Sequence, residues 1–202
     1  KGRIKVYDVV NEMFEENGSF RENIWYKLMG EEYLAHALTV ARAQDPDAKL
    51  YLNEFNNECV GHPKADAMYN FVKKLKEEGV PIDGVGMQLH LATDLPFEPD
   101  KIRANIRRYA ELGIDISFSE IDVRIPASKF NDPAEIEMQK YIYTTLLDIA
   151  LTEPNVKSYI VWGMYDRTSW VPATFPNYGN ACIYDVNYNK KEVYEEIFNK
   201  LK

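Results

Sequence analysis

The sequence predicts an α/β protein, a TIM-type (β/α)8 barrel with about five C-terminal βα units present in its 202 residues. Short apolar runs alternate with amphipathic stretches of ten or more residues, which is typical of parallel strands joined by helical crossovers. Polar residues end all five apolar runs. This favours a barrel, because an open doubly wound sheet needs them at only two or three strands. No glycine-rich phosphate-binding motif follows a strand, which weakens the nucleotide-binding alternative.

The first two units establish the pattern. The first strand covers about Ile4–Val10, and its helix spans roughly Ile24–Gln44. The second strand, Leu50–Asn53, leads through a polar loop to a helix near Pro63–Glu78, which ends at Gly79,. Each strand is therefore followed by a loop that can carry functional side chains.

The other three units repeat this order of strand, loop and helix. Their strands and helices are Gly84–Gln88 with Pro99–Leu112, Asp115–Ser119 with Pro133–Leu151, and Ser158–Trp162 with Lys191–Leu201. Gly113 ends the first of these helices, and Asn131 or Asp132 caps the second,. A barrel needs eight units, so three are expected to be absent at the N-terminal side, or about 100 residues at the usual ~250 per barrel.

The composition excludes several classes of partner. The net charge of -8 opposes binding to nucleic acid or to an anionic membrane, whereas a neutral glycan is indifferent to it,. No apolar run approaches the ~20 residues that cross a membrane. Cys59 and Cys182 fit no metal-ligand spacing, so free thiols are favoured over a single disulfide,. The chain opens on a strand-like run and not on Met, so its natural N-terminus is expected elsewhere,.

Two carboxylates at strand ends, Glu12 and Glu120, suit the hydrolysis of a glycosidic bond with retention. That reaction needs two carboxyl groups ~5–5.5 Å apart, one protonated to assist the leaving group and one ionised to attack the anomeric carbon. The chain has 32 Asp and Glu residues, so solvated loop carboxylates remain the alternative when either residue is taken alone.

Neighbouring polar residues strengthen the case. Asn11, beside Glu12, offers an amide to a sugar hydroxyl. Gln88 and His90 point to the same side if the strand geometry extends that far. His90 could then orient one carboxylate while Asp122 holds the imidazole, although a purely structural histidine is the alternative.

Aromatic side chains can form a surface for a sugar ring. Trp162 and Trp170 flank the loop after the last strand, where an exposed face can stack on a pyranose,. Core packing remains the alternative for Trp162. Trp25 lies in an amphipathic helix and is predicted to be a core residue.

Five runs, in family order and spacing along essentially the whole chain, resemble glycoside hydrolase family 10, the endo-β-1,4-xylanases. They are Tyr7–Glu12, Leu50–Asn56, Gly84–His90, Ser119–Pro126 and Val161–Trp170. The resemblance implies that Glu12 is the acid/base and Glu120 the nucleophile. It departs from the family where Tyr7 replaces the usual Trp and Phe55 a common Tyr.

The resemblance also implies roles for the neighbours of the two carboxylates. His90 and Asp122 are similar to the pair that supports the nucleophile, and Gln88 to a neighbour of both carboxylates. The residues implied to contact substrate are Asn11 at the 2-hydroxyl of the cleaved sugar, Asn56 toward the leaving group, and Trp162 and Trp170 as aromatic floor and wall.

The expected function is a retaining endo-xylanase that cleaves internal β-1,4-xylosidic bonds, without metal or cofactor. A β-1,4-glucanase of the same mechanism and a non-catalytic glycan-binding half-barrel are the alternatives. Residues 1–202 are expected to supply strands four to eight of one catalytic domain, with an N-terminal portion as a second chain, or self-association, completing it. Secretion is expected because a cell cannot import long xylan.

Overall fold

The computed structural model describes residues 1–202 and contains five βα units in sequence. The strands are β1 (Val6–Asn11), β2 (Lys49–Glu54), β3 (Gly84–Met87), β4 (His90–Ala92), β5 (Asp115–Pro126), β6 (Val156–Val161) and β7 (Tyr178–Gly179). The helices are α1 (Ile24–Met29), α2 (Glu32–Gln44), α3 (Pro63–Glu77), α4 (Pro99–Glu111), α5 (Pro133–Thr152), α6 (Val171–Thr174) and α7 (Glu192–Lys200). The predicted order of strands and helices is confirmed.

The main strands form one parallel sheet in the order β1-β2-β3-β5-β6, so chain order and spatial order agree as they do in a barrel wall,. Two short strands extend the far half of β5: β4 pairs with it in parallel and β7 antiparallel. All carboxyl ends of the main strands therefore meet at one edge. β1 and β6 each have a neighbour on one side only.

The two faces of the sheet differ in chemistry. Alternate residues of the strands, including Leu50, Leu52 and Val85, belong to a buried apolar core of 28 residues that also includes residues of the surrounding helices,. The other face carries small or polar residues. A Cβ at Gly86 would lie 2.0 Å from Oδ1 of Asn53, so the glycine leaves space for the Asn53 amide on the concave face.

Two strand ends are shaped by irregular pairing. The register between β1 and β2 shifts between Asp8 and Val10, and the register between β5 and β6 shifts between Phe118 and Ile121. A bulge turns the following side chains toward a different direction. Both shifts lie just before or at a predicted catalytic carboxylate, which explains how local irregularity aims these groups into the concave face.

The prediction of one helix over 24–44 is wrong. The chain breaks at Gly30, whose φ is 62°, and forms two helices, α1 and α2. No residue of α1 is buried, and Trp25 is 59% exposed, so the prediction of Trp25 as a core residue is also wrong. The physical reason is position, because α1 lies in the unit of the edge strand β1 and no further unit packs against it.

The fourth main strand is longer than predicted. β5 continues from Asp115 to Pro126, beyond the predicted end at Ser119, because β4 and β7 provide partners for its second half. Asp132, and not Asn131, caps α5 by accepting from the backbone N–H of Ala134 at 3.0 Å. Cys59 and Cys182 are free thiols. None of the helices has the length and apolar character that crossing a membrane would take.

Candidate active site

A cavity of about 590 Å³ lies at the carboxyl ends of the strands. Eight predicted site residues line it: Asn11, Glu12, Asn56, Gln88, His90, Glu120, Trp162 and Trp170. The ninth, Asp122, is fully buried and reaches the cavity through the rings of His90 and Trp170. Four further residues complete the lining: Phe55, Arg124, Thr174 and Phe175. The structure thus brings together side chains from all five units.

Three successive main strands end in the same left-handed turn. Glu12, Asn56 and Leu89 have φ of 55°, 55° and 62°, a region that costs a residue with a side chain about 1–3 kcal/mol,. The condition for Gln88 and His90 to share a side, an extended strand through both, is not met, because Leu89 interrupts the strand and a new one starts at His90. Both side chains nevertheless line the cavity.

Glu120 is held from two sides. Its Oε1 accepts a hydrogen bond from Nδ2 of Asn53 at 2.7 Å, and its Oε2 lies 3.5 Å from Nε2 of His90. The second ring nitrogen of His90, Nδ1, lies 3.0 Å from Oδ2 of Asp122. This contact follows from the sheet, since His90 and Asp122 are paired residues of β4 and β5. The predicted geometry of His90 between Glu120 and Asp122 is present.

The charge of His90 follows from these contacts. Burial by itself lowers the pKa of the imidazole, but hydrogen bonds to Asp122 and Glu120 outweigh it and raise the pKa from 6.5 to about 9,. At neutral pH the ring is therefore an imidazolium. It places a positive charge against the carboxylate of Glu120.

Asn53 joins the two halves of the site, a role that the sequence did not reveal. Its Nδ2 donates to Oδ1 of Asn11 at 2.9 Å as well as to Glu120. Ser119 fixes the amide by donating to its Oδ1 at 2.7 Å. Sequence reasoning noted Asn53 as a strand-end polar residue. The missed signal was Gly86, which is paired with it and leaves room for its side chain.

Glu12 has a different environment. Nε2 of Gln88 lies 3.4 Å from its Oε1 and 3.2 Å from Oδ1 of Asn11. Nη1 of Arg21 lies 3.2 Å from its Oε2, and both side chains are 34% exposed. Arg21 was not predicted, because it lies in the loop after β1 and no motif marks it.

The aromatic wall is built on Asp122 and Arg124. Trp170 donates from Nε1 to Oδ2 of Asp122 at 2.7 Å, and its ring centroid lies 4.7 Å from that of His90. The Arg124 guanidinium lies 4.0 Å from the ring centroid of Phe175, and its Nη1 donates to the His90 carbonyl at 3.1 Å. Trp162 is 45% exposed, so the core alternative for it is wrong.

Comparison with known proteins identifies the architecture. The sequence model described as Glycosyl hydrolase family 10 matches residues 1–200. The chain belongs to glycosyl hydrolase family 10. The resemblance inferred from the five runs is therefore confirmed.

Solved family 10 structures overlay on the whole chain. Native xylanase 10B from Thermotoga maritima gives a TM-score of 0.95 at 41% identity, with the chain covering 61% of that protein. Xylanase 10B from Thermotoga petrophila RKU-1, solved with xylobiose, gives 0.94 at 41% identity and 62% coverage. The predicted fold class, an α/β (β/α)8 barrel with five units in this chain, is confirmed.

Curated relatives also match almost the whole of this chain but only part of their own length. Endo-1,4-beta-xylanase B of Thermotoga neapolitana is 40% identical over 195 residues, which cover 96% of this chain and 55% of the relative. The chain spans about half the length of the curated relatives that it matches. Its site nevertheless contains two carboxylates in one cavity, each with its own hydrogen-bonding partners. No group of three or more His, Cys, Asp or Glu side chains is placed to bind a metal ion.

Proposed function

We propose that this chain carries both catalytic carboxylates of a retaining endo-1,4-β-xylanase, which cleaves internal β-1,4-xylosidic bonds of xylan. One observation carries the proposal: Glu12 and Glu120 line the same cavity and are linked through the amides of Gln88, Asn11 and Asn53. The names of the relatives, endo-1,4-beta-xylanases, support xylan as the substrate.

The reaction proceeds by double displacement. Glu120 attacks the anomeric carbon while Glu12 gives its proton to the departing glycosidic oxygen, leaving a covalent glycosyl-enzyme. Glu12, now a carboxylate, takes a proton from a water molecule that attacks the same carbon and releases Glu120. The imidazolium of His90 compensates the charge of Glu120 before attack and after release, and Asp122 keeps the ring in place.

The remaining residues of the cavity bind the sugar. The amide of Asn11, which is linked to Asn53 and Gln88, contacts the 2-hydroxyl of the cleaved xylose in this proposal. Trp162 and Trp170 offer aromatic faces to the ring, and Asn56 lies on the leaving-group side. Gln88 orients Asn11 and Glu12 through its own amide. Each of these assignments can be tested by a single substitution.

The domain is completed, in this proposal, by three further βα units that precede these five as strands one to three. Apolar side chains remain exposed at both margins of the sheet, where such units would pack. They are Ile4, Val6, Trp25 and Leu28 on the β1 side and Leu151, Ile160, Phe198 and Leu201 on the β6 side. A second chain is one source of these units, and self-association is the alternative. The chain alone is expected to be weakly active, because substrate positioning is incomplete.

The two alternative functions, a glucanase and a non-catalytic glycan-binding protein, predict different experimental results. A β-1,4-glucanase would release reducing sugar faster from glucan than from xylan. A non-catalytic glycan-binding protein would bind xylan equally well after Glu12→Gln or Glu120→Gln, because neither carboxylate would then matter. The relatives favour the xylanase over both.

The experiment measures reducing-sugar release from xylan by the chain with and without the N-terminal portion of the barrel. Proton NMR then follows the anomeric configuration of the first product, and a 2-fluoro xylobioside traps the nucleophile for peptide mass spectrometry. Retention with the label on Glu120 is expected. An inverted product, or a label on another carboxylate, would refute the mechanism. Since long xylan does not enter cells, the activity is also expected in culture medium, which fractionation tests.

A further inference from the structure

Lys64 is a fully buried lysine that the proposed reaction does not use. It lies in the first turn of α3, where the helix dipole is positive, and its side chain is 0% exposed,. Burying a charge without partners is too costly to persist in a folded protein. The position of Lys64 must therefore depend on the groups around it.

The partners of Lys64 lie at the end of β2 and in the loops after β1 and β2. Its Nζ lies 3.2 Å from Oε1 of Glu54, 3.0 Å from Oε1 of Glu16, and 3.4 Å from the ring centroid of Phe55. Glu54 is also fully buried and accepts from the backbone N–H of Phe55 at 3.1 Å. The ammonium therefore supports Phe55 through its ring and through its backbone.

Glu16 extends the same support to Asn56. One carboxylate oxygen of Glu16 contacts Lys64, and the other accepts from Nδ2 of Asn56 at 3.1 Å. Asn56 needs such support, because its backbone is in the left-handed region,. The Glu16 side chain is 56% exposed, so this bond fixes a polar group at the surface of the cleft and not in the core.

Asn56 stands where two cavities meet. It lines the catalytic cavity together with Glu12, and it also lines a neighbouring cavity of about 500 Å³ formed with Phe97 and Arg124. Asn56 can therefore contact a sugar chain that extends from Glu12 toward the second cavity. A small leaving group stays in the first cavity and has no need of it.

We propose that Lys64 and Glu16 are positioning residues that hold Phe55 and Asn56 for a sugar leaving group, and thereby make the enzyme selective for oligosaccharides over substrates with small leaving groups. This inference rests on the proposed function. Lys64 and Glu16 do not touch the reacting atoms. They act through the two residues that line the cleft.

The experiment compares two substrates in the full-length protein that contains this chain. Xylotetraose has a sugar leaving group, whereas 4-nitrophenyl β-xylobioside releases a phenolate that needs no hydrogen bond. Glu16→Ala is the main variant, since an exposed side chain can be removed with little risk to folding. The expected result is a roughly tenfold fall in kcat/KM for xylotetraose, with kcat/KM for the aryl substrate almost unchanged.

A double variant, measured with its own control, tests Lys64 directly. Lys64→Met combined with Glu54→Gln removes both buried charges at once, so that no unpaired carboxylate is left in the core. This double variant is expected to lose kcat/KM for xylotetraose, as Glu16→Ala does, and to keep kcat/KM for the aryl substrate. Lys74→Met is the matched control on the same helix, because Lys74 makes only surface ion pairs, with Glu31 and Glu78.

Equal losses on the two substrates, or no loss on xylotetraose, would overturn the proposal. Glu120→Gln is measured in parallel. If it stayed fully active, the proposed function would fall, whereas the ratio between the two substrates reports on Lys64 and Glu16 alone.

Discussion

The indole N–H of Trp170 donates to Oδ2 of Asp122, the same oxygen that faces Nδ1 of His90. A single buried carboxylate oxygen therefore fixes both the aromatic wall and the histidine that supports Glu120. Since Asp122 is fully buried, neither contact competes with bulk water. A change in the wall is consequently transmitted to the proposed nucleophile through these two hydrogen bonds and the contact of His90 with Glu120.

Replacing Trp170 with Phe separates these two effects. The variant keeps an aromatic face but loses a hydrogen bond to a charged acceptor, a contact worth about 1.5–3 kcal/mol. We expect kcat/KM for xylan to fall roughly tenfold to a hundredfold, mostly in kcat. Tyr141→Phe is the control, because Tyr141 is an exposed aromatic residue that does not line the cavity. An equal loss in both variants would show that the Trp170 bond is unimportant.

The charge of His90 is expected to govern stability at alkaline pH. Its pKa in the fold, about 9, is above the ordinary 6.5. The stabilisation is therefore complete below pH 6.5 and is lost as pH rises through 9, about 3 kcal/mol in all. The measurement is the free energy of unfolding of the wild type minus that of His90→Gln at pH 6 and pH 9.5. A difference that did not change with pH would contradict the assignment.

Glu12→Ala should distinguish the acid/base from the nucleophile. Loss of general acid assistance is expected to reduce xylan hydrolysis by about 10²–10⁴-fold, while an aryl xylobioside with a good leaving group should be attacked almost normally. Azide, a small nucleophile that needs no base, should restore turnover of that substrate. Glu120→Ala should lose both substrates, and the reverse pattern would exchange the two roles.

The sequence predicts strand ends well and contacts between distant segments poorly. Glu12, Glu120 and His90 could be placed because each follows an apolar run, and parallel strands bring such ends together. The bond between Asp122 and Trp170 joins residues 48 positions apart, and its formation depends on the path of the last loop. No periodic pattern encodes that path.

Irregular backbone accounts for most of the remaining differences. The break at Gly30 and the turn at Leu89 each end a regular pattern that side-chain periodicity alone would continue. The amide bridge of Asn53 depends on a bulge in β1 and on the space above Gly86. These features arise from two strands together, so neither strand read alone predicts them.

The left-handed backbone at Glu12 sets stability and the proposed chemistry against each other at one position. Glycine adopts a φ near 55° without the penalty that glutamate incurs there,. Glu12→Gly would therefore relieve the backbone strain and at the same time remove the carboxylate that the proposed reaction needs. The strain at this residue is a cost that the fold bears for the position of one carboxylate.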